Sequence, residues 1–186
     1  MSDEQLIWRE LERKTVFKTK IFSVTDRLCL SPQGGREPFT VIETNDWVVV
    51  VPVADNGDSF FMVRQWRHGA QEISLEFPGG VIETGETPQE GAARELREET
   101  GCTAGKMIKL GIMSPNPAIM ANRVYFFLAE DLRIDGDLQL DKDEFISAEK
   151  INTQEVIQKV GSPPYIHALM ATALCFYLRF KKEKHG

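Results

Sequence analysis

The pattern of apolar and polar positions predicts that the first half of the chain is built mainly of strands. Residues 21–30 (IFSVTDRLCL) and 38–43 (PFTVIE) are typical of strands, and residues 31–35 between them contain the proline and glycines of a turn. Residues 47–53 (WVVVVPV) and 60–66 (FFMVRQW) are almost continuously apolar, as buried strands are. We therefore predict an N-terminal hairpin or small sheet, followed by a buried strand pair joined through a DNGDS turn.

A helix at residues 88–100 is signalled at both of its ends. Thr87 is a favourable N-cap residue, Pro88 suits the first helical position, and Glu90 completes a capping box. Gly101 is the kind of residue that commonly closes a helix at its C-terminus. The pattern therefore predicts a capped helix shortly after an irregular Phe-Pro-Gly-Gly segment.

The rest of the pattern predicts more strands and two further helices. Strands are expected at residues 107–113, 123–130 and 145–146, and helices at residues 153–160 and 164–182. Mixed strands with a few helices indicate an α+β sandwich of sheet and helices. We expect the chain to divide near residue 45, with an N-terminal antiparallel strand region at residues 1–45 and a main domain at residues 46–186.

The composition and the length exclude several classes of protein. The chain has 186 residues, of which 42% are hydrophobic and 27% are charged, so it can bury a full core. The N-terminus lacks the apolar segment of a signal peptide, and the longest apolar stretch, residues 165–178, is too short to cross a bilayer. Three widely spaced cysteines without a C-x-x-C pair favour a reducing compartment and argue against structural zinc. Because the basic run at residues 181–185 is too short for nucleic-acid binding, we expect a cytoplasmic protein with neither nucleic acid nor membrane as a partner.

Acidic residues are concentrated in two segments of the chain. The 22 basic and 28 acidic residues give a formal net charge of −6. Residues 80–102 carry six acids against two arginines, and residues 130–149 carry eight acids against one arginine and one lysine. These two segments together have a charge of −10, so the rest of the chain is slightly basic, at +4. Such a local concentration differs from the even acidic coat of a highly solvated protein.

The predicted helix brings several carboxylates together. Glu95 and Glu99 are four residues apart, so their side chains lie on one helix face, about 5 to 6 Å from each other. Glu98 adds a third negative charge, and Arg94 and Arg97 neutralise only part of the group. Carboxylates grouped in this way suit a hard divalent cation, Mg²⁺ or Mn²⁺, which also accepts phosphate oxygens as ligands. The alternative interpretation is an exposed helix laced with Arg and Glu pairs.

The residues around the helix favour the metal site. Just before it, Pro78-Gly79-Gly80 offers backbone carbonyl oxygens that can complete a coordination sphere. The motif consists of Gly80, Glu86, Arg94-Glu95-Leu96, Glu98-Glu99, Gly101 and the apolar Cys102, at the spacing of the 23-residue Nudix box. The chain therefore resembles the Nudix hydrolases, which cleave a nucleoside diphosphate linked to some other group.

This resemblance implies a fold and a set of residue roles. The fold would be a mixed β sheet sandwiched between helices. Glu95 and Glu99 would bind the metal together with the carbonyl oxygen of Gly79. Glu98 would assist catalysis, and Arg94 would orient the glutamates. The residue pattern leads to the same glutamates, because hydrolysis of a diphosphate needs metal ions that neutralise it and activate a water molecule.

The regions that flank the box resemble the branch of the family that hydrolyses ADP-ribose and other nucleoside diphosphate sugars. The similar features are the strand region at residues 1–45, residues 64–67 (RQWR) followed by residues 75–80 (LEFPGG), and Pro117, which lies 16 residues after Gly101. In that branch the N-terminal strands often exchange between the subunits of a dimer. The resemblance thus implies a homodimer whose N-terminal region contributes to dimerisation and to base binding.

The same branch implies residues that bind the substrate. An arginine from the strand before the box contacts the substrate, and Arg67 is the best match, with Arg64 second. A guanidinium there can bind a phosphate or stack on a base, whereas the alternative is an arginine that caps a strand end in solvent. An N-terminal aromatic residue often stacks on the base. Phe17 is preferred to Trp8 for this role, although a lone aromatic residue in a strand more often belongs to a core.

The second acidic segment matches a loop that, in this branch, brings a glutamate to the metal site as a ligand or general base. The match is at residues 140–145 (LDKDEF), where Glu144 is the best candidate and Asp143 and Asp141 are alternatives. A solvated acidic loop is the competing interpretation. Residues 122–123 (NR) stand where many ADP-ribose hydrolases carry an acidic residue, which leaves room for other nucleotide sugars.

These features together predict a pyrophosphatase that depends on Mg²⁺ or Mn²⁺. It would cleave a nucleoside diphosphate sugar, ADP-ribose or another such as GDP-mannose, into a nucleoside monophosphate and a sugar phosphate. One alternative is a pyrophosphatase for nucleoside triphosphates or dinucleoside polyphosphates, although such enzymes rarely carry an N-terminal region like this one. The second alternative is a nucleotide-sensing module without catalysis, which is disfavoured because all three glutamates of the box are present.

Overall fold

The computed structural model describes residues 2–136, 140 and 145–185, which form a mixed set of strands and helices. The strands are β1 Arg9–Lys18, β2 Ser23–Leu30, β3 Arg36–Glu43, β4 Trp47–Ala54, β5 Ser59–Arg67, β6 Glu72–Glu76, β7 Cys102–Met113, β8 Val124–Ile134 and β9 Ser147–Asn152. The helices are α1 Pro88–Thr100, α2 Thr153–Lys159 and α3 Ala168–His185. The predicted α+β class and the predicted capped helix are both confirmed. None of the helices that the structure describes is long and apolar enough to cross a membrane.

One compact unit consists of Met1–Asn45 and Ser114–Arg123. Its sheet has the antiparallel strand order β1-β2-β3. Glu43 joins the three strands, because its Oε1 accepts hydrogen bonds from Nη1 of Arg13 and Nη2 of Arg27, both at 2.7 Å. The apolar pattern does not predict β1, since its sequence is rich in charged residues and every one of its side chains is exposed. Backbone pairing with β2 therefore defines this strand.

The segment Ser114–Arg123 packs with the N-terminal residues, although the sequence pattern assigned it to the main domain. The backbone N–H of Ile42 donates to the carbonyl of Ile119 at 2.7 Å, and the N–H of Ala121 donates back to the carbonyl of Ile42 at 3.0 Å. These hydrogen bonds connect residues that are far apart in sequence. A local pattern of apolar residues carries no information about such a pairing.

The second unit, Asp46–Met113 and Val124–Gly186, contains the main sheet. The strand order is β6-β5-β4-β8-β7, with β9 on the other edge of β5. The pairing of β4 with β8 is parallel, and the other pairings are antiparallel. The predicted strand at residues 145–146 is wrong, because the strand in this region is β9, which begins at Ser147. Phe145 is 86% exposed, so its apolar character does not reflect a buried strand position.

The predicted pairing of β4 with β5 is confined to the residues next to the turn that joins them. Strands β4 and β5 pair only at their ends, where Val53 lies opposite Phe60 and Ala54 lies opposite Ser59. Beyond this point β4 instead pairs with the segment after β6. The N–H of Val50 donates to the carbonyl of Pro78, and the N–H of Val48 donates to the carbonyl of Gly80, both at 2.9 Å. The irregular Pro-Gly-Gly segment is thus inserted between two diverging strands.

Side chains alternate between the two faces of β4 and build two cores. Val48 and Val50 pack with Leu96 of α1, whereas Val49 and Val51 pack in the cluster that contains Met170, Leu174 and Tyr177 of α3. The sheet therefore carries α1 on one face and α3 on the other, as the predicted sandwich requires. This arrangement places α1 against the Pro-Gly-Gly segment.

Candidate active site

Helix α1 is held at both of its ends by the predicted caps. Thr87 Oγ1 accepts a hydrogen bond from the N–H of Glu90 at 3.3 Å, and Glu90 Oε2 accepts one from the N–H of Thr87 at 2.8 Å. Gly101 adopts the left-handed conformation, with φ of 68°, and its N–H donates to the carbonyl of Arg97 at 2.8 Å. These caps determine where the helix begins and ends. They therefore also determine which face the glutamates of the helix present.

Glu99 links α1 to the Pro-Gly-Gly segment. The residue is only 4% exposed, and its Oε2 accepts a hydrogen bond from the N–H of Gly79 at 2.9 Å. A Cβ atom on residue 79 would lie 2.2 Å from the carbonyl oxygen of Val48 and 3.0 Å from Cα of Val49. Glycine is therefore required at position 79 by the close approach of the β4 backbone.

The backbone around Gly79 is tied to both β4 and α1. The carbonyl groups of Pro78 and Gly80 accept hydrogen bonds from the N–H groups of Val50 and Val48 in β4. The N–H of Gly79, between them, donates to Glu99 of α1. The backbone of Gly79 therefore lies beside the Glu99 carboxylate, as the predicted role of a backbone ligand requires.

Glu95 lies against the next residue of the segment. A Cβ atom on residue 80 would lie 2.3 Å from Oε1 of Glu95 and 2.8 Å from its Oε2. The carboxylate is thus in contact with the backbone of Gly80, and its side chain is 13% exposed. Glycine at this position leaves room for the Glu95 carboxylate.

Arg94 connects the acidic side chains of the helix. Its Nε donates to Oε1 of Glu86 at 2.8 Å, and its Nη1 donates to Oε1 of Glu95 and Oε2 of Glu98, both at 2.9 Å. Its Nη2 also donates to the carbonyl of Val81 at 2.9 Å. The hydrogen bond with Glu86 is the main cause that raises the pKa of Arg94, and the same contact lowers the pKa of Glu86. A permanently charged guanidinium therefore orients the carboxylates of Glu95 and Glu98.

The donor set fits a hard divalent cation that keeps water and substrate oxygens as ligands. Within residues 2–136, 140 and 145–185, no three Asp, Glu, His or Cys side chains form a group that could hold a metal ion by themselves. Mg²⁺ is usually bound by one or two carboxylates, with water and phosphate oxygens completing an octahedral shell. Glu95, Glu99 and the carbonyl of Gly79 are oxygen ligands of this kind. These donor atoms therefore fit a hard divalent cation that takes its remaining ligands from water or phosphate oxygens.

Arg67 and Arg64 point to opposite faces of β5, because they are three residues apart in a regular strand. Arg67 makes a bidentate bond to Glu76, with Nε to Oε1 and Nη2 to Oε2 both at 2.7 Å. Arg64 instead binds Oε1 of Glu149, through Nε at 2.8 Å and Nη2 at 2.7 Å. Phe61, on the same face as Arg67, packs beside the α1 cluster. Arg67 is therefore the arginine on the α1 side of the sheet.

Glu76 is a buried carboxylate with two basic neighbours. Its side chain is 4% exposed, and Nε2 of His167 lies 3.7 Å from its Oε2. Burial disfavours ionisation of Glu76, but the hydrogen bonds and charge of Arg67 outweigh this effect and lower its pKa. Burial also lowers the pKa of His167, although Glu76 opposes this shift. Glu76 is thus a carboxylate anion next to a largely neutral imidazole at neutral pH.

The remaining predicted site residues either belong to the first compact unit or fall outside the described residues. Phe17 is part of β1 in the first compact unit and is 57% exposed, with its ring 6.3 Å from that of Phe22. Trp8, its alternative, makes an edge-to-face contact with Phe39 at 5.1 Å. The predicted loop carboxylate Glu144 and its alternatives, Asp143 and Asp141, lie outside the residues that the structure describes.

Sequence reasoning gave no role to Glu76 or His167. The position of Glu76 between the apolar residues Leu75 and Phe77 is a signal in the sequence, because glutamate is rarely buried without a partner. The partners themselves were not predictable. Arg67 lies on the adjacent strand, and His167 lies near the other end of the chain.

Comparisons with known proteins agree with this fold. The family model described as NUDIX domain matches residues 44–169. The chain is 33% identical over 180 residues to the ADP-ribose pyrophosphatase of Bacillus subtilis (strain 168), which covers 94% of this chain and 96% of that protein. It is 30% identical over 132 residues to the ADP compounds hydrolase NudE of Escherichia coli (strain K12), covering 68% of this chain and 70% of that one.

A solved structure agrees as well. The crystal structure of an ADP compounds hydrolase superimposes with a TM-score of 0.84 at 25% identity, and the match covers 95% of both chains. The matched family region includes β4, the Pro-Gly-Gly segment and α1. The chain therefore belongs to the Nudix family and is a Nudix pyrophosphatase.

Proposed function

We propose that this enzyme hydrolyses the diphosphate linkage of nucleoside diphosphate sugars in a Mg²⁺-dependent reaction, with ADP-ribose as the first substrate to test. The products are a nucleoside monophosphate and a sugar phosphate. The observation that carries the proposal is the contact of Glu95 and Glu99 with the Gly79-Gly80 backbone, which gathers oxygen ligands at one point. The substrate class is supported by similarity, over almost the whole chain, to a protein named ADP-ribose pyrophosphatase.

The residues around this point have distinct proposed roles. Glu95, Glu99 and the carbonyl of Gly79 hold the cation, Mg²⁺ or Mn²⁺. When bound, it neutralises the diphosphate and lowers the pKa of a bound water. Arg94 keeps Glu95 and Glu98 in place through its two Nη1 hydrogen bonds. Glu98 is less buried than Glu95, with 33% of its side chain exposed. Its proposed role is to assist catalysis from this more exposed position.

Arg67, in preference to Arg64, is the proposed substrate-binding arginine. The support is its position on the α1 side of β5, whereas Arg64 points to the opposite face and pairs with Glu149. A guanidinium binds a phosphate through two parallel hydrogen bonds, which suits an anionic diphosphate. Glu144 is the proposed loop carboxylate that acts as ligand or general base, and Glu144→Gln is expected to lower kcat more than substrate affinity.

We also infer a homodimer in which the N-terminal strands contribute to the interface and Phe17 stacks on the base. The support is a set of exposed apolar side chains on these strands and on the segment before them. They are Leu6, Ile7, Trp8, Leu11, Val16, Phe17 and Phe39. Light scattering of the purified protein measures its mass directly, and a fully active monomer would refute this inference.

The free thiols of Cys29, Cys102 and Cys175 support the predicted cytoplasmic location.

A panel of substrates tests the proposed function. Phosphate released from the products by an added phosphatase is measured for ADP-ribose, GDP-mannose, other nucleotide sugars, nucleoside triphosphates and dinucleoside polyphosphates, each with Mg²⁺. We expect the highest kcat/KM for a nucleotide sugar. Preferential turnover of triphosphates or dinucleoside polyphosphates would overturn the substrate assignment. The relative named 8-oxo-dGTP diphosphatase does not favour triphosphates here, since its similarity covers only 30% of the chain.

A pair of matched variants tests the metal site. Glu99→Gln keeps an oxygen that can accept the hydrogen bond from Gly79 but removes the negative charge, so we expect kcat to fall by orders of magnitude while the fold persists. Glu90→Gln is the control on the same helix, because glutamine also completes a capping box. Wild-type turnover is expected for Glu90→Gln. Equal activity of the two variants would contradict the role of Glu99.

A further inference from the structure

We propose that Glu76 is a positioning residue that holds the guanidinium of Arg67 in the orientation that binds the substrate diphosphate. This inference rests on the proposed function. It adds a residue outside the Nudix box to the substrate-binding apparatus. The carboxylate acts through Arg67 and does not itself contact the substrate.

The geometry of the pair supports an orienting role. Glu76 lies directly opposite Val63 on the adjacent strand, and Arg67 is four residues along from Val63, so both side chains lie on one face. The two parallel hydrogen bonds engage Nε and Nη2, which sets the plane of the guanidinium and directs Nη1 away from Glu76. The side chain of Arg67 is 39% exposed, whereas that of Glu76 is 4% exposed. The buried carboxylate of Glu76 thus holds the partly exposed guanidinium of Arg67.

Stability alone does not account for this pair. Removing a carboxylate from water costs about as much as a buried ion pair regains, so an apolar pair would stabilise the sheet equally well. Fixing a flexible arginine before substrate binds reduces the conformational entropy lost on binding. Glu76 is also only three residues before Gly79, in the segment that continues into the metal-site backbone. One short segment therefore fixes both the arginine and the proposed metal ligand.

His167 is a second neighbour of the Glu76 carboxylate. Nδ1 of His167 accepts a hydrogen bond from the N–H of Leu169 at 3.1 Å, in the first turn of α3. In the neutral ring the proton is therefore on Nε2, which lies 3.7 Å from Oε2 of Glu76. The carboxylate thus lies beside both Arg67 on the sheet and the residue that precedes α3.

The chain offers a matched control for the chemistry of this pair. Arg64 and Glu149 form a second Arg–Glu ion pair on the same strand β5, but on its opposite face, and both side chains are more than one-third exposed. Glu149→Gln makes the same chemical change as Glu76→Gln. It should leave kcat and KM within about twofold of the wild type, as expected for an exposed ion pair.

Steady-state kinetics on a nucleotide sugar with Mg²⁺ test the proposal. Glu76→Gln should lower kcat/KM by on the order of 10- to 100-fold, mainly through a higher KM. The double variant Arg67→Met/Glu76→Gln should have the same KM as Arg67→Met alone, because Glu76 acts only through Arg67. The proposal would be overturned if the KM increases of the two single variants multiplied in the double variant. A wild-type KM for Glu76→Gln would also overturn it.

Additional measurements separate this proposal from folding and from the proposed function. If Glu76→Gln does not fold, Glu76→Asp provides the test. Aspartate keeps the negative charge, but its side chain is one methylene shorter, so the carboxylate lies further from Arg67. This variant should raise KM without lowering kcat. A wild-type KM for that variant overturns the proposal. Arg67→Met with unchanged KM also overturns it, while leaving nucleotide-sugar hydrolysis intact. The absence of nucleotide-sugar turnover by the wild-type chain would instead refute the proposed function.

Discussion

The contact between Gly80 and Glu95 makes Gly80→Ala a direct test of the proposed metal site. A Cβ atom at residue 80 would lie 2.3 Å from Oε1, 2.6 Å from Cδ and 2.8 Å from Oε2 of Glu95. Ordinary contacts of a Cβ atom begin at 3.4 Å, so the carboxylate must move by about 1 Å. The substitution therefore displaces the proposed metal ligand without changing its chemistry.

The expected effect is a loss of rate and little loss of stability. A displacement of about 1 Å in catalytic geometry costs on the order of 100-fold in rate, or about 2.7 kcal/mol in the activation barrier. The carboxylate is the end of a flexible side chain and can move without disturbing the sheet. We therefore expect the melting temperature to change by less than about 3 °C, since 1 kcal/mol corresponds to roughly 2–4 °C in a chain of this size.

Gly79→Ala is the contrasting control. Its Cβ atom would meet the backbone of β4, at 2.2 Å from the carbonyl oxygen of Val48 and 3.0 Å from Cα of Val49. A strand in the middle of a sheet cannot move aside as a side chain does. Forced overpacking of this kind costs about 1–3 kcal/mol or more, so the melting temperature should fall by at least several degrees.

The assay measures kcat and the Mg²⁺ concentration for half-maximal activity, together with thermal unfolding by circular dichroism. Gly80→Ala should show a lower kcat and a higher Mg²⁺ requirement at nearly the wild-type melting temperature. Unchanged kcat and Mg²⁺ dependence in Gly80→Ala would refute the position and role assigned to Glu95. A fall in melting temperature as large as that of Gly79→Ala would show that the substitution disturbs the backbone instead.

Three further predictions concern the surroundings of the site. Arg94→Lys should lower kcat at least tenfold in the same assay, because a lysine cannot reproduce the separate hydrogen bonds to Glu86, Glu95 and Glu98; wild-type kcat would show that Arg94 does not orient them. Thr87→Ala should lower the free energy of unfolding by about 1 kcal/mol through loss of the N-cap, measured by urea denaturation. His167 has a pKa that burial lowers below its ordinary value of 6.5, so the unfolded chain binds a proton more readily and stability falls as the pH drops below about 6.5. His167→Gln should flatten this fall between about pH 7 and pH 5, whereas an unchanged slope in urea titrations would contradict it.

Helix α1 shows how far local sequence reasoning reaches in this protein. Its caps, its length and the spacing of Glu95 and Glu99 were all predictable, because each depends on residues within one or two helical turns. The sequence indicated only that these glutamates lie near the Gly79-Gly80 backbone, and it did not specify the contacts. Its form, with one glutamate accepting an N–H and the other packed on a glycine, depends on how β4 holds that segment.

Strand β5 shows where such reasoning stops. The sequence favoured Arg67 over Arg64 only by resemblance, and no local feature distinguished their partners. The difference arises from strand alternation together with the choice of neighbouring strands, since β6 supplies Glu76 on one face and β9 supplies Glu149 on the other. The pairing of β4 also joins distant parts of the chain, since β4 pairs in parallel with β8 and pairs with β5 only at its end.

The sequence by itself determined the α+β class, the capped helix, the family and the carboxylates of the Nudix box, because these depend on short-range spacing and residue type. The tertiary structure alone decided which backbone each glutamate contacts and which arginine lies on the α1 side of the sheet. It also decided that Glu76 pairs with that arginine and that His167 lies next to Glu76. These contacts join residues up to 91 positions apart, between Glu76 and His167. Their physical origin is the packing of sheet and helices, in which the burial of many apolar side chains selects one set of long-range neighbours.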